Sequence, residues 1–167
     1  MKISTYRTGI MNNFVSLALV FGTFFLVGSA CNLRSESKPV EPSRDEVHKL
    51  VKTTCMDFGD AIQSGDVAAF HSKVAKAWQK EMSVDKMKEA FQRYFDDRAN
   101  YDFRRLLPPL KVYLDPQPKF EKVNDLDALV VDGRFETTPR PVNFHLTYIM
   151  EGKTWKLIRM NIFYSNY

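Results

Sequence analysis

The apolar spacing of this chain changes once, and the change sets its fold class. Upstream of the adjacent prolines Pro108 and Pro109 the apolar residues recur with a helical period, and downstream they alternate. Val47, Val51, Cys55, Phe58 and Ile62 are spaced by four, four, three and four residues, which puts them on one face of a helix. Ser43 and Glu46 have the spacing of a capping box, in which hydroxyl and carboxylate each satisfy a free backbone N–H. Gly65 stands where a left-handed residue ends a helix, so a helix is predicted over Asp45–Ser64. Asp66 is placed to cap a short second helix carrying Val67, Phe70 and Val74, and Trp78 follows in a less regular stretch. Ser83 caps a third helix, with Asp85 near the positive end of its dipole and Val84, Met87, Phe91 and Phe95 as its buried stripe. That pattern is lost around Ala99 and Asn100.

From Leu110 onward, alternation predicts strands at Leu110–Tyr113, Lys119–Val123, Ala128–Glu136, Val142–Met150 and Thr154–Tyr164. Glu151-Gly152-Lys153 forms the tight turn between the last two, and Pro139 and Pro141 keep the preceding connection out of the ladder. Helices first and antiparallel strands afterwards indicate an α+β domain over 44–167, with three N-terminal helices packed on one face of the sheet.

The N-terminal part obeys different rules. Lys2 and Arg7 precede a fourteen-residue apolar run, Phe14 to Val27, and the small residues Gly28, Ser29 and Ala30 follow. The run is shorter than the roughly 20 residues needed to span a bilayer. Its order of positive, apolar and small marks residues 1–30 as a secretory signal. Gly28-Ser29-Ala30-Cys31 resembles a bacterial lipobox, with Gly28 where leucine is usual. Cys31 is therefore the expected lipid-attachment residue, and 31–43, rich in polar residues and proline, the expected disordered tether. This implies an exported protein anchored to a bacterial cell membrane on its periplasmic or surface side. Ordinary cleavage would instead give a soluble secreted protein, and an uncleaved segment would give an N-terminal anchor.

The formal charge is +4, but Lys2 and Arg7 supply two of the four, and acidic residues are interspersed along the rest. No Lys/Arg stripe stands out in the sequence, so nucleic acid is not an expected partner. With Cys31 acylated, Cys55 has no disulfide partner. Its place on the helix stripe predicts a small buried hydrophobe.

Two stretches carry a family resemblance. "AIQSGDVAAFHSKVAKAWQKEMS", Ala61 to Ser83, and "ALVVDGRFETTPRPVNFHLTYIMEGKTWKLIRMNI", Ala128 to Ile162, look like the opening helices and closing sheet of the nuclear-transport-factor-2-like superfamily. The resemblance implies a cystatin-like cone, a curved sheet wrapped on a long helix, with a pocket between the first and third helices and the sheet. It implies little about activity, because this superfold hosts isomerases, dehydratases and non-enzymatic binding modules alike.

No catalytic constellation emerges. Asp57 and Asp60 lie off the apolar stripe, and the side chains of adjacent Asp96 and Asp97 diverge on a helix. His48 is expected to be exposed and His71 locally bonded. His145 falls with Asn143 and Thr147 on the face opposite Val142, Phe144, Leu146 and Tyr148. The histidines and Cys55 have no metal-ligand spacing, and no cofactor motif occurs. Tyr94 and Tyr148 are the candidate pocket residues, as buried tyrosines with satisfied hydroxyls. Strict alternation puts Trp155, Leu157 and Arg159 on the outer sheet face with His145, as a candidate surface for a homodimer or an envelope protein. The expected function is a membrane-anchored, non-enzymatic binding module for a small apolar ligand or an envelope protein. The alternative is an isomerase- or lyase-type enzyme acting inside the cone.

Overall fold

A computed structural model of the chain describes residues 41–107, 111–123, 125–138 and 140–164. Helix α1 (Arg44–Ser64) starts where its caps require. Glu46 N–H donates to Ser43 Oγ at 3.3 Å, and Ser43 N–H donates to Glu46 Oε2 at 2.7 Å. It ends at Gly65, whose left-handed φ of 76° lets its N–H close on Ala61 O. The predicted stripe of Val47, Val51, Cys55, Phe58 and Ile62 is buried, joined by Thr54 and Ala61.

α2 (Val67–Lys73) is capped by Asp66, which accepts from Ala69 N–H. The stretch around Trp78 is more regular than expected and forms α3 (Lys76–Glu81). Its N-cap residue, Ala75, has no side chain to cap it. It is tied to the sheet instead, Ala75 N–H donating to Leu157 O and Lys76 N–H to a Glu151 carboxylate oxygen.

The expected third helix is divided into α4 (Val84–Ala90) and α5 (Gln92–Asp96). The break is at Phe91, whose N–H is shared between Met87 and Lys88 carbonyls. Met87, Phe91 and Tyr94 are buried, while Phe95 is only half-buried. A 3-10 turn (Arg98–Tyr101) and α6 (Phe103–Leu106) complete the helical part, which thus holds six α-helices among the described residues where three were expected. No described helix is long and apolar enough to cross a membrane.

The strands are β1 (Val112–Leu114), β2 (Lys119–Val123), β3 (Leu126–Phe135), β4 (Val142–Glu151) and β5 (Thr154–Tyr164). They form one open antiparallel sheet ordered β1-β3-β4-β5, with β2 also pairing β3. The chain is therefore α+β, and one sheet face packs with the helices into the main core, while a smaller cluster joins Ala75 to Ala128 and Ile149. β5 is an edge strand, and two of its carbonyls are taken by the helical part: Leu157 O by Ala75 N–H and Ile162 O by the Tyr94 hydroxyl. Occupying an edge in this way removes a template for unwanted strand pairing.

One irregularity decides which β5 side chains face the helices. Thr147 pairs with Arg159 but Tyr148 pairs with Leu157, so Ile158 is bulged out. A one-residue insertion flips every side chain beyond it to the opposite face. Met160 and Ile162 pair with Leu146 and Phe144 on the helix side, as alternation predicts. Beyond the bulge, Leu157 and Trp155 pair with Tyr148 and Met150 and also turn to the helix side. Trp155 and Leu157 are thus not on the outer face. His145 and Arg159 are.

Candidate functional site

α1 is packed against the other helices around Phe58 and parted from the β4–β5 hairpin around Leu50. In the sealed half Phe58 makes edge-on contacts with Phe70, Phe91 and Tyr94, at centroid distances of 5.9, 5.2 and 4.9 Å. Tyr94 in turn meets Tyr101 at 4.9 Å. The region between the first and third predicted helices, where a pocket was expected, is packed with these rings. Tyr94 belongs to that packing: its hydroxyl donates to Ile162 O at 3.0 Å, and Arg93 lies over its ring at 4.6 Å.

In the parted half, two cavities of about 250 and 420 Å³ run along α1 opposite the β4–β5 hairpin. Both are lined by Leu50, Thr53, Thr154 and Trp155, so they form one elongated cleft. The flipped register beyond the bulge supplies Trp155 and Leu157 to its wall. Phe70 and Val74 close the deeper cavity, and Met150 flanks the outer one. Each volume is near or within the range of small-molecule sites, about 300–1,000 Å³.

The floor holds one polar pair. Tyr148, fully buried, donates its hydroxyl to Thr54 Oγ1 at 3.0 Å. Burial raises the Tyr148 phenol well above its ordinary value, against a smaller opposing effect of the Thr54 hydrogen bond. A phenol held protonated in this way is a fixed dipole, which can orient a ligand but does not serve as a base. Cys55 is fully buried and free, and burial raises its thiol in the same direction. A protonated, inaccessible thiol is not a nucleophile.

The carboxylates lining the cleft are engaged or peripheral. Asp57 accepts from Lys73 at 2.7 Å at the deep end. Glu46 is committed to the α1 cap, and Glu41 is exposed at the mouth. The other candidates have local partners. Asp60 pairs with Arg104, Gln92 donates to Asp96, and Asn100 donates to Asp97. The His71 ring nitrogen meets Met82 O at 2.8 Å.

His145 pairs with Asp132, its cross-strand neighbour, at 2.5 Å on the outer face. The exposed aromatic groups of that face are Tyr113 and Phe163, 46% and 43% exposed, beside Arg134 and Asn143 in register. Among the described residues no three His, Cys, Asp or Glu side chains are placed to hold a metal. Cys31 lies outside the described residues.

Tyr148 is the one candidate pocket residue that lines the cleft. Leu50, Thr53, Thr54 and Met150 were missed, because nothing in a helical or alternating pattern says where two packed elements part. No protein-family model matches the chain and no curated protein matches it, so the site is read from its own chemistry.

Proposed function

We propose that this chain is an exported lipoprotein whose domain is a non-enzymatic binding module, taking a small apolar ligand in the cleft between α1 and the β4–β5 hairpin. The observation that carries the reading is the make-up of the cleft: a largely apolar wall, interrupted by threonines and by lysines such as Lys153 and Lys156, over a single buried Tyr148–Thr54 pair, with Asp57 already held by Lys73. Proton-transfer chemistry needs an acid or base poised near the working pH, and a buried, protonated phenol does not meet that need. The anchoring part of the proposal places acyl chains on Cys31, and its support is the order of positive, apolar and small residues before that cysteine. The order of helices followed by an antiparallel sheet is compatible with a nuclear-transport-factor-2-like cone, and that superfamily is part of the proposal.

Native mass spectrometry of the chain purified in mild detergent tests the ligand directly. The expected spectrum shows one small apolar molecule per chain, lost when Thr53→Phe places a ring at the junction of the two cavities. Only the unliganded mass, across preparations, overturns the reading.

A partner contact is proposed on the outer face through Tyr113, His145, Arg159 and Phe163. Light scattering checks its self-association form: the native chain should be larger than a monomer, and Phe163→Glu should return it to one.

A further inference from the structure

The face of α1 turned toward β1 carries a second concave feature beside the cleft. A groove of about 520 Å³ between the two elements is lined by Arg44, His48, Lys49 and Lys52 from the helix and by Lys111 and Tyr113 from the strand side. No carboxylate lines it. Its four permanent cations stand together on one surface, and none of them makes an ion pair among the described residues.

Stability does not account for this cluster. Arg44, His48 and Lys52 succeed one another at four-residue spacing, which gathers them on one face of the helix with no carboxylate between them. They also lie in its N-terminal half, where the dipole disfavours cations nearest the end. Asp45 is the one nearby carboxylate that acts on His48, and Arg44 and Lys52 oppose it. The His48 Nε2 is buried with no hydrogen-bond partner. An unpaired cationic groove beside an unsatisfied ring nitrogen is a surface that lacks an anion.

The groove begins at Arg44, and only twelve residues separate Arg44 from Cys31. Covalent geometry limits that distance to about 45 Å. We propose that the groove docks on the anionic phospholipid headgroups of the bilayer to which the chain is anchored, so that the domain lies on the membrane with its α1–β1 side down. The proposal rests on the anchoring reading. The tether holds the groove within reach of the surface, and unpaired lysines and arginine gain attraction only within a Debye length of about 8 Å. Contacts that are weak singly become effective because the anchor raises the local concentration of headgroups. The cleft opens along the neighbouring face of α1, lined by Leu50, Thr53 and Thr54, and Lys49 borders both its outer cavity and the groove.

The test reconstitutes the full chain, as its host processes it, into vesicles of phosphatidylcholine alone or phosphatidylcholine mixed with phosphatidylglycerol. Lysine acetylation is then read site by site. Lys52 and Lys111 should label severalfold more slowly on the mixed vesicles, high salt should remove the difference, and Lys88 on α4 should not change. Lys52→Gln with Lys111→Gln should weaken the remaining protection of Lys49 by about fivefold per cation removed. Equal labelling on both vesicles overturns the proposal, as does equal slowing at Lys88. The same protection from tripolyphosphate without vesicles overturns the bilayer as the occupant. Intact mass reports the anchor separately. An unmodified Cys31 defeats the anchoring reading, while co-sedimentation with the mixed vesicles still scores the groove.

Discussion

The two halves of α1 belong to one helix, yet one is packed solidly and the other borders an open cleft. At Phe58 the helix meets three rings edge-on and is fully buried. Two turns earlier, at Leu50, it faces Trp155 and Thr154 across a cleft. Helices α2, α4, α5 and α6 converge on the first half, while the second is faced by the β4–β5 hairpin and the end of α2. A helix seals where several elements bring large side chains to it, and proximity in sequence to a good core does not close the gap where fewer do.

Truncation should expose the contrast most strongly. Phe58→Ala removes the hub of the sealed half and should cost about 3–5 kcal/mol in urea unfolding. Trp155→Ala, on the cleft wall and only half-buried, should cost about 1–2 kcal/mol for its smaller change in burial. Equal losses would mean that the cleft is as tightly packed as the core.

Enlargement sharpens the same comparison from the other side. Val51→Phe forces a ring into a fully buried site and should destabilise by about 1–3 kcal/mol. Thr53→Phe points into open space and should stay within about 0.5 kcal/mol of the native chain. A large loss for Thr53→Phe, measured in the same denaturant series, would contradict an open cleft.

The boundary between the halves is the Tyr148–Thr54 hydrogen bond, and Tyr148→Phe should cost about 1 kcal/mol by leaving a buried hydroxyl without its donor. The smallest effect lies at the outer end of α1. Burial first, and then Arg44, hold the His48 imidazole below its ordinary value of 6.5. In the window just below 6.5 the unfolded chain therefore binds more protons than the folded one. Stability should fall as pH drops through that window and be flat above it. His48→Gln should remove this part of the slope in pH-dependent unfolding.

Much of the fold was legible before any coordinates. Ser43, Glu46 and Gly65 announce the ends of α1 because caps are local chemistry, and the strands follow from alternation within one or two residues at most ends. The break at Phe91 was not legible, because Met87, Phe91 and Tyr94 fit a continuous helix equally well. The bulge left only a faint trace, the adjacent apolar pair Leu157 and Ile158 between two alternating runs. Missing it put Trp155 and Leu157 on the wrong face and hid the cleft wall. The cationic groove was invisible for a related reason. Lys111 stands some sixty positions from Arg44 and Lys52, and only the pairing of β1 with β3 brings it beside α1.

The central claim is that the gap between α1 and the β4–β5 hairpin is a ligand cleft, and Trp155 reports on it from within the wall. With Trp78→Phe in the full chain, Trp155 is the single indole. Titration with decanol should then shift its emission to the blue in a saturable manner, as an apolar chain replaces water beside the ring. Adding Thr53→Phe should abolish the saturable shift. Emission that does not respond to decanol, or that responds equally with Thr53→Phe present, would contradict the account.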